Sequence, residues 1–311
     1  MTSINDIAKK ASVAKSTVSR VLNNHPHVSD KTREKVISVI AEFDYSPSQL
    51  ARDLSRGKTQ KIGVVIPHTR HPYFTNLING QLDIAKETGY QLVMMPSDYN
   101  HQLEISYLEQ LRNGAIDALI FTSRAISLEV IEKYAKYGRL VLLEELQKKQ
   151  NLSCVFVDRF QAYIEVFKNL QDNGLKYPVL LFSRNTDESA TFNMAMSAYK
   201  EVYGNNKVIS WGDIDTFEDG YSIVGRLQGL SKMDAILANS DDVAAGVISC
   251  YQSLGLQTPY IIGQENQLSS QLLNISTIEH HSYELGKLSV KQALAKNNEQ
   301  IRLVSTFIKR N

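Results

Sequence analysis

Residues 4–24 read INDIAKKASVAKSTVSRVLNN, and the spacing of their apolar positions decides the fold of the N-terminal end. Ile4, Ile7, Ala8 and Ala11 fall at i, i+3, i+4 and i+7, one stripe of a short helix. Ser3 followed by Asp6 supplies a capping box at its start. After Ser12, Val13 and Ala14 a second stripe begins, with Val18, Val21 and Leu22 on one face and Lys15, Ser16, Ser19 and Arg20 on the other. A third helix starts at the cap Ser29 and turns Val36, Ile40 and Phe43 inward. Two short helices with a three-residue join, closed by a third, read as a helix-turn-helix.

The outward face of the second helix carries chemistry that suits a major groove: the guanidinium of Arg20, the cation of Lys15 and the hydroxyls of Ser16 and Ser19. By geometry Lys15, Ser16 and Arg20 could reach base edges, while Thr17, Ser19, Asn23, Ser29 and Thr32 sit where short polar side chains or their amides could hold phosphates. A three-helix protein-interaction bundle with a solvated polar face fits the same residues. The following stretch, DYSPSQLARDLSRGKT at 44–59, starts a helix of about ten residues at Ser46 and Pro47 and can end it at Gly57. Such a helix is too short to be stable alone. Two copies meeting over a minor groove would let Leu54 enter a base step while Arg52, Arg56 and Lys58 hold flanking phosphates; a linker helix packed on the body is the alternative.

Charge separates the same regions. Residues 1–61 hold eleven Lys or Arg and six Asp or Glu, a balance of +5, so the remaining 250 residues, with 23 against 27, carry −4 of the net +1. A basic head on a mildly acidic body suits a nucleic-acid-binding module joined to an effector domain. The 311 residues allow two or three domains. No apolar run approaches the length of a membrane span, and MTSINDIAKKA builds no secretory core, so a cytoplasmic chain without membrane contact is expected. Cys154 and Cys250 stand far apart and are expected as buried thiols. His25 with His27, His68 with His71, and the pair His280 and His281 lack companions at ligand spacing, so no metal is expected. No phosphate loop occurs, the three Ser-x-x-Lys matches are read as chance, and no nucleophile, base and orienter stand at recognisable spacing. No cofactor and no enzyme activity are expected.

From Lys61 onward short β-rich runs alternate with amphipathic segments. The strand candidates are IGVVIP, QLVMMP, ALIF, LVLLE, CVFVD, PVLLF, KVISW, AILA and YIIG, separated by helix-length stretches such as 73–88, 159–172 and 241–253. Alternation of this kind implies parallel sheets. Nine units exceed one compact sheet, and the polar stretch QKKQNLS at 147–153 is read as the crossover between two lobes. Ligands bind beyond the carboxyl ends of such strands, in a cleft that two lobes can close.

With these motifs in view, the chain resembles the LacI/GalR family of bacterial transcription regulators. INDIAKKASVAKSTVSRVLNN is similar to that family's head, VSDKTREKV to its third helix, and YSPSQLARDLSRGKT to its hinge helix. GVVIPHTRHPYF, SDDVAAG, IIGQENQ and ISTIEHH resemble successive segments of its body, which is built like the periplasmic sugar-binding proteins, and ISTIEHH is matched to the crossover back to the first lobe. The resemblance implies an all-α helix-turn-helix head plus an α/β body of two doubly wound parallel-sheet lobes. It implies a helix-turn-helix DNA-binding domain at 1–45, a hinge helix and linker at 46–60, and a two-lobe effector-binding and dimerisation domain at 61–311. Carried over by position, Lys15, Ser16 and Arg20 are base readers and Leu54 is the minor-groove wedge. The function implied is a ligand-responsive repressor of carbohydrate-use genes, bound to a near-palindromic double-stranded DNA operator as a homodimer. STFIKRN closes the chain with no heptad tail, from which a dimer is expected instead of a tetramer.

The effector pocket departs from the family pattern. Many members carry an arginine shortly before a Gly-aromatic pair, and the aligned segment ESATFNMAMSAYKEV has none. Ile214 replaces a frequent aromatic, and Gln264-Glu265 replaces a frequent Tyr-Asp. Tyr73, Phe74, Glu144, Asp241 and Glu265 remain as candidates for a sugar or sugar phosphate, an aromatic wall for an apolar sugar face with carboxylates for hydroxyls. Arg184 is a possible stand-in for the missing cation. Two other readings stay open at this point: a cytoplasmic ligand-binding module whose basic head contacts a protein partner, and a global regulator gated by a phosphocarrier protein.

Overall fold

The computed structural model describes residues 3–23, 25–46, 52–53, 56–69, 71–146, 152–186 and 189–310. The chain divides into two units, Met1–Thr59 and Gln60–Asn311. In the first, α1 (Ile4–Lys10), α2 (Lys15–Leu22) and α3 (Asp30–Glu42) follow the apolar spacing. Ser3 and Asp6 form the reciprocal capping box, and the Ser29 hydroxyl accepts from the Thr32 amide at the start of α3. Ile7, Ala8, Ala11, Val18, Val21, Val36 and Val39 make the core. Phe43, expected inside, is 37% exposed and lies under the Lys10 ammonium. It is the C-cap of α3, past the last helical residue, so the period that would turn it inward has already ended and Val39 takes the inner place. Leu54 and residues 47–51 of the expected hinge helix lie outside the described residues.

Among the described residues, the second unit contains all nine expected strands and three more. Its first lobe runs β1 (Lys61–Ile66), α4 (Pro72–Thr88), β2 (Gln91–Pro96), α5 (His101–Arg112), β3 (Ala118–Phe121), α6 (Leu128–Glu132), β4 (Arg139–Leu142) and β5 (Ser153–Asp158). The second lobe takes over with α7 (Phe160–Asp172), β6 (Pro178–Leu181), α8 (Ala190–Tyr203), β7 (Ile209–Trp211), α9 (Phe217–Ser222), α10 (Val224–Gln228), β8 (Ala235–Leu237), α11 (Asp241–Ser253), β9 (Tyr260–Gln264), α12 (Leu268–Leu272) and β10 (Ser276–Glu279). The chain then returns to the first lobe as α13 (Ser282–Leu294) and β11 (Gln300–Val304), and ends in the second as β12 (Thr306–Ile308). The sheet orders are β11-β5-β4-β3-β1-β2 and β12-β10-β9-β8-β6-β7. Every pairing is parallel except that of β10 with β12.

QKKQNLS is therefore not the crossover. It joins β4 to β5, neighbours in one sheet, and its polarity is that of a surface connection; residues 147–151 lie outside the described residues. The lobes are crossed three times instead, after Asp158, after Glu279 and after Val304. ISTIEHH contributes β10 before the second crossing. One buried network ties the three crossings together. The Ser305 amide donates to the Asp158 carbonyl at 2.9 Å. His280 Nδ1 meets the Ser305 hydroxyl at 2.7 Å, and its Nε2 meets Gln264 Oε1 at 2.9 Å. Because the Gln264 amide nitrogen donates to the Ala238 carbonyl, its Oε1 is the acceptor, and it also accepts the Tyr163 hydroxyl at 3.0 Å. His280 thus carries its proton on Nε2 and accepts from Ser305 on Nδ1. Burial holds its pKa well below the usual 6.5, in keeping with that neutral form.

Both cysteines are buried thiols. Among the described residues no helix is long and apolar enough to cross a membrane.

In the first lobe α4 and α13 pack backbone to backbone through two glycines. A Cβ on Gly80 would stand 2.0 Å from the Tyr283 carbonyl oxygen, and one on Gly286 would stand 2.1 Å from that of Leu77. Neither carbonyl can yield without moving a helix. Gly80→Ala is accordingly expected to cost about 1–3 kcal/mol by overpacking, read from urea unfolding; an unchanged midpoint would show that the helices part freely.

Candidate functional site

Two sites are built, one in each unit. In the head, α2 buries Val18 and Val21 and so must turn its other face to water. Lys15, Ser16 and Arg20 are exposed on it. Thr17 and Ser19 are half-buried beside them, and Asn23 donates from its side chain to the Ser19 carbonyl at 2.9 Å. The Ala14 N-cap makes no side-chain cap; the Thr17 amide donates to the Ala14 carbonyl, and among the described residues the Lys15 and Ser16 amides keep donors for an outside acceptor. Ser29 and Thr32 are engaged with each other, hydroxyl to hydroxyl at 2.8 Å, at the start of α3.

In the body, the segments that follow the carboxyl ends of the strands of both sheets converge on the cleft between the lobes. His71 follows β1 and caps α4: its Nδ1 accepts the Tyr73 amide at 3.1 Å, which leaves Nε2 to face the Asn239 carbonyl, after β8 in the other lobe, at 3.3 Å. Burial lowers the His71 pKa, which favours the neutral ring that the cap requires. Asn239 is itself held by Ser183 at 2.7 Å and by the Ile214 carbonyl at 3.1 Å. Arg184, after β6, lays its guanidinium over the ring of Tyr99, after β2, at 4.2 Å. Among the described residues, the two lobes thus touch across the cleft at His71 with Asn239 and at Tyr99 with Arg184.

Of the sequence candidates, Tyr73 and Glu265 come together. The Tyr73 hydroxyl is desolvated, and burial pushes its pKa up to about 12 against the opposing pull of Arg159, which follows β5. Glu265 follows β9 with a left-handed φ of 87° and is 5% exposed. Burial pushes its carboxyl up to about 8, against the opposing pull of Arg159, and among the described residues Oε2 has no hydrogen-bond partner. Glu144 stands after β4, paired with Arg124 through both its oxygens, a contact made firmer by Arg124 donating to the Ile126 carbonyl at 2.7 Å. Phe74 packs in the first-lobe core with Ile62, Ile66 and Leu77. Asp241 is fully buried in the second lobe. Its oxygens accept the Thr277 hydroxyl and the Gln267 amide, each at 2.6 Å, and burial pushes its pKa up to about 6.

Sequence reasoning missed Arg159, His71, Asn239 and Tyr99. Each stands in the short segment after a strand, which was the available signal. His71 directly before Pro72 at a helix start is the clearest, because an imidazole nitrogen can cap as an Asx oxygen does.

Comparison with known proteins agrees with this geometry. A family model described as "Bacterial regulatory proteins, lacI family" matches residues 3–48. A second, "Periplasmic binding proteins and sugar binding domain of LacI family", matches residues 59–297. The chain is 35% identical to Catabolite control protein B of Bacillus subtilis (strain 168), over 100% of both. It is 31% identical to the NTD biosynthesis operon regulator NtdR of the same organism, over 93% of this chain and 91% of that one. In fold it is similar to a crystal structure of the lac repressor dimer bound to operator and the anti-inducer ONPF, with a TM-score of 0.79 and 20% identity over 99% of this chain and 98% of that one.

The Glu265 carboxyl gives a pH test. Its folded pKa of about 8 lies above the ordinary 4.5, so folding opposes its ionisation and stability is lost as pH rises from 4.5 through 8. Glu265→Gln, which cannot ionise, is expected to unfold at higher urea than the parent above about pH 8, with the gap closing toward about pH 5. A gap that does not change with pH would contradict the buried, neutral acid.

Proposed function

Since the chain belongs to the LacI family of bacterial regulatory proteins, and is thereby a DNA-binding transcription regulator and not an enzyme, we propose that it is a ligand-responsive repressor of carbohydrate-use genes that binds a near-palindromic operator as a homodimer. The observation that carries this is α2, a helix with one face in the head's core and Lys15, Ser16 and Arg20 free on the other. These three read base edges in the major groove, Arg20 by its bidentate fork. Thr17, Ser19 and Asn23 hold phosphates beside them, and Ser29 and Thr32 do so through the amides at the start of α3. Leu54 is the wedge at the minor groove, between the cations of the hinge. The functional division is then DNA binding at 1–45, hinge at 46–60 and effector binding with dimerisation at 61–311, and the protein works in the cytoplasm, where bacterial operators are.

Dimerisation is supported by α12. Leu268 and Leu272 are 66% and 76% exposed on this short helix, and Leu273 beside them is also exposed. Adjacent leucines facing water mark a surface that another chain covers. The effector, a sugar or sugar phosphate, enters the cleft at Tyr73 and Glu265, with Glu144 at its rim. A carbohydrate role is supported by the similarity to a catabolite control protein and by the sugar-binding description of the body's family model. The ligand acts by binding one cleft geometry better than another, which sets how two first lobes meet and so how the two hinges stand on DNA.

Arg20→Ala is expected to cost about 1–3 kcal/mol at the operator and to relax choice at one base pair, measured by fluorescence anisotropy; an equal loss on random DNA would remove Arg20 as a base reader. Leu272→Glu is expected to shift the protein from dimer to monomer in sedimentation velocity and to weaken operator binding with it. A dimer that persists at the same concentration would place the interface elsewhere.

A further inference from the structure

One continuous wall of the cleft is drawn from both lobes. Arg184 stacks on Tyr99 at 4.2 Å. Tyr99 and Arg159 both lie within electrostatic reach of the Tyr73 hydroxyl, and Arg159 lies within reach of the Glu265 carboxyl. Among the described residues neither Arg159 nor Arg184 has a carboxylate within ion-pair distance, whereas Arg112, Arg124 and Arg302 each do. Both are half-buried. A guanidinium drawn partly out of water without a counter-ion is unfavourable unless something else neutralises it. Glu265 does not do so, since it stands beyond ion-pair distance and its raised pKa keeps it largely protonated near neutrality. Its Oε2, buried and without a hydrogen-bond partner among the described residues, can accept in the same wall.

We propose, building on the cleft as the effector site, that its ligand is a hydroxylated small molecule bearing an acidic group: a phosphate or carboxylate lies on Arg159 and Arg184, and a hydroxyl donates to Glu265. Planar guanidinium forks match the oxygen pairs of both acids. Tyr73 and Tyr99, between the two cations, supply the faces on which the uncharged body of the ligand rests. The arginine missing from the start of α8 is thus replaced by cations at different places, which recognise a different group.

Isothermal titration of the full chain with a hexose, its 6-phosphate, the corresponding hexuronic acid and inorganic phosphate tests this. At least one acidic hexose should bind about tenfold or more tighter than the plain hexose, and the phosphate and uronate arms say which acid is preferred. Arg159→Met and Arg184→Met, checked for folding by circular dichroism, should each weaken that binding by about tenfold or more. Equal affinity for the plain hexose, or no binding of any probe, would overturn the proposal. So would acid binding unchanged in both variants, or inorganic phosphate binding as tightly as the phosphorylated hexose, which would mean an adventitious ion only. Operator selection is scored separately on the same preparation, so a protein that selects DNA but shows no acid preference overturns this inference alone.

Discussion

The hydrogen bonds around His280 are the constraint on which the body depends. Three chain segments cross between the lobes, and independent crossings would let each lobe twist as well as open. Here Ser305 joins Asp158 on one side and His280 on the other, and Gln264 joins His280 to Tyr163 and Ala238. Every donor in this set has its acceptor, which is what makes a buried polar network rigid instead of costly. The three crossings are thereby tied into one axis, and opening and closing about it is the motion that leaves the network intact. Gln264 is followed by Glu265, so the axis and the ligand wall are adjacent in the chain. A group bound at the wall therefore acts close to the hinge, where a small displacement gives a large movement at the outer ends of the lobes.

The cleft shows how a family scaffold is adapted without changing its fold. The strands and helices set where side chains can enter the cleft, at the segments after the strands, and several of those segments carry a polar or aromatic side chain there: His71, Tyr99, Arg124, Glu144, Arg159, Arg184, Asn239 and Glu265. Asp241 shows the limit of that rule. It also follows a strand, yet both its oxygens are engaged by Thr277 and Gln267, and it ties α11 to the rest of the second lobe. Position puts a residue near the cleft; its hydrogen bonds decide whether it serves the ligand or the fold.

Much of the architecture was legible because local rules agreed with the final packing. The head's stripes at Ile7, Ala11, Val18 and Val36, its caps at Ser3 and Ser29, and nine apolar strands all announced themselves through period and composition. The misses have a common cause. β10 (STIE), β11 (QIRLV) and β12 (TFI) contain no apolar run longer than two residues, and β11 and β12 are sheet edges that need not be apolar on every side, so none of the three stood out as an apolar strand. QKKQNLS looked like a linker because surface loops and linkers share a composition. Phe43 looked buried because periodicity does not say where a helix stops. The cleft was only half legible: Tyr73 and Glu265 could be named from the family pattern, whereas Arg159 and Asn239 acquire meaning through neighbours more than 75 residues away in the chain.

In a ligand-responsive repressor, closure of the two lobes and occupation of DNA are linked. Single-molecule energy transfer between dyes placed at the exposed residues Glu87, in the first lobe, and Lys207, in the second, reads that linkage. Saturating operator DNA is expected to redistribute the population toward one lobe separation, whereas random DNA at matched occupancy leaves it broader. An identical distribution with and without operator would contradict it, since a cleft that does not respond to DNA cannot, by reciprocity, control its binding.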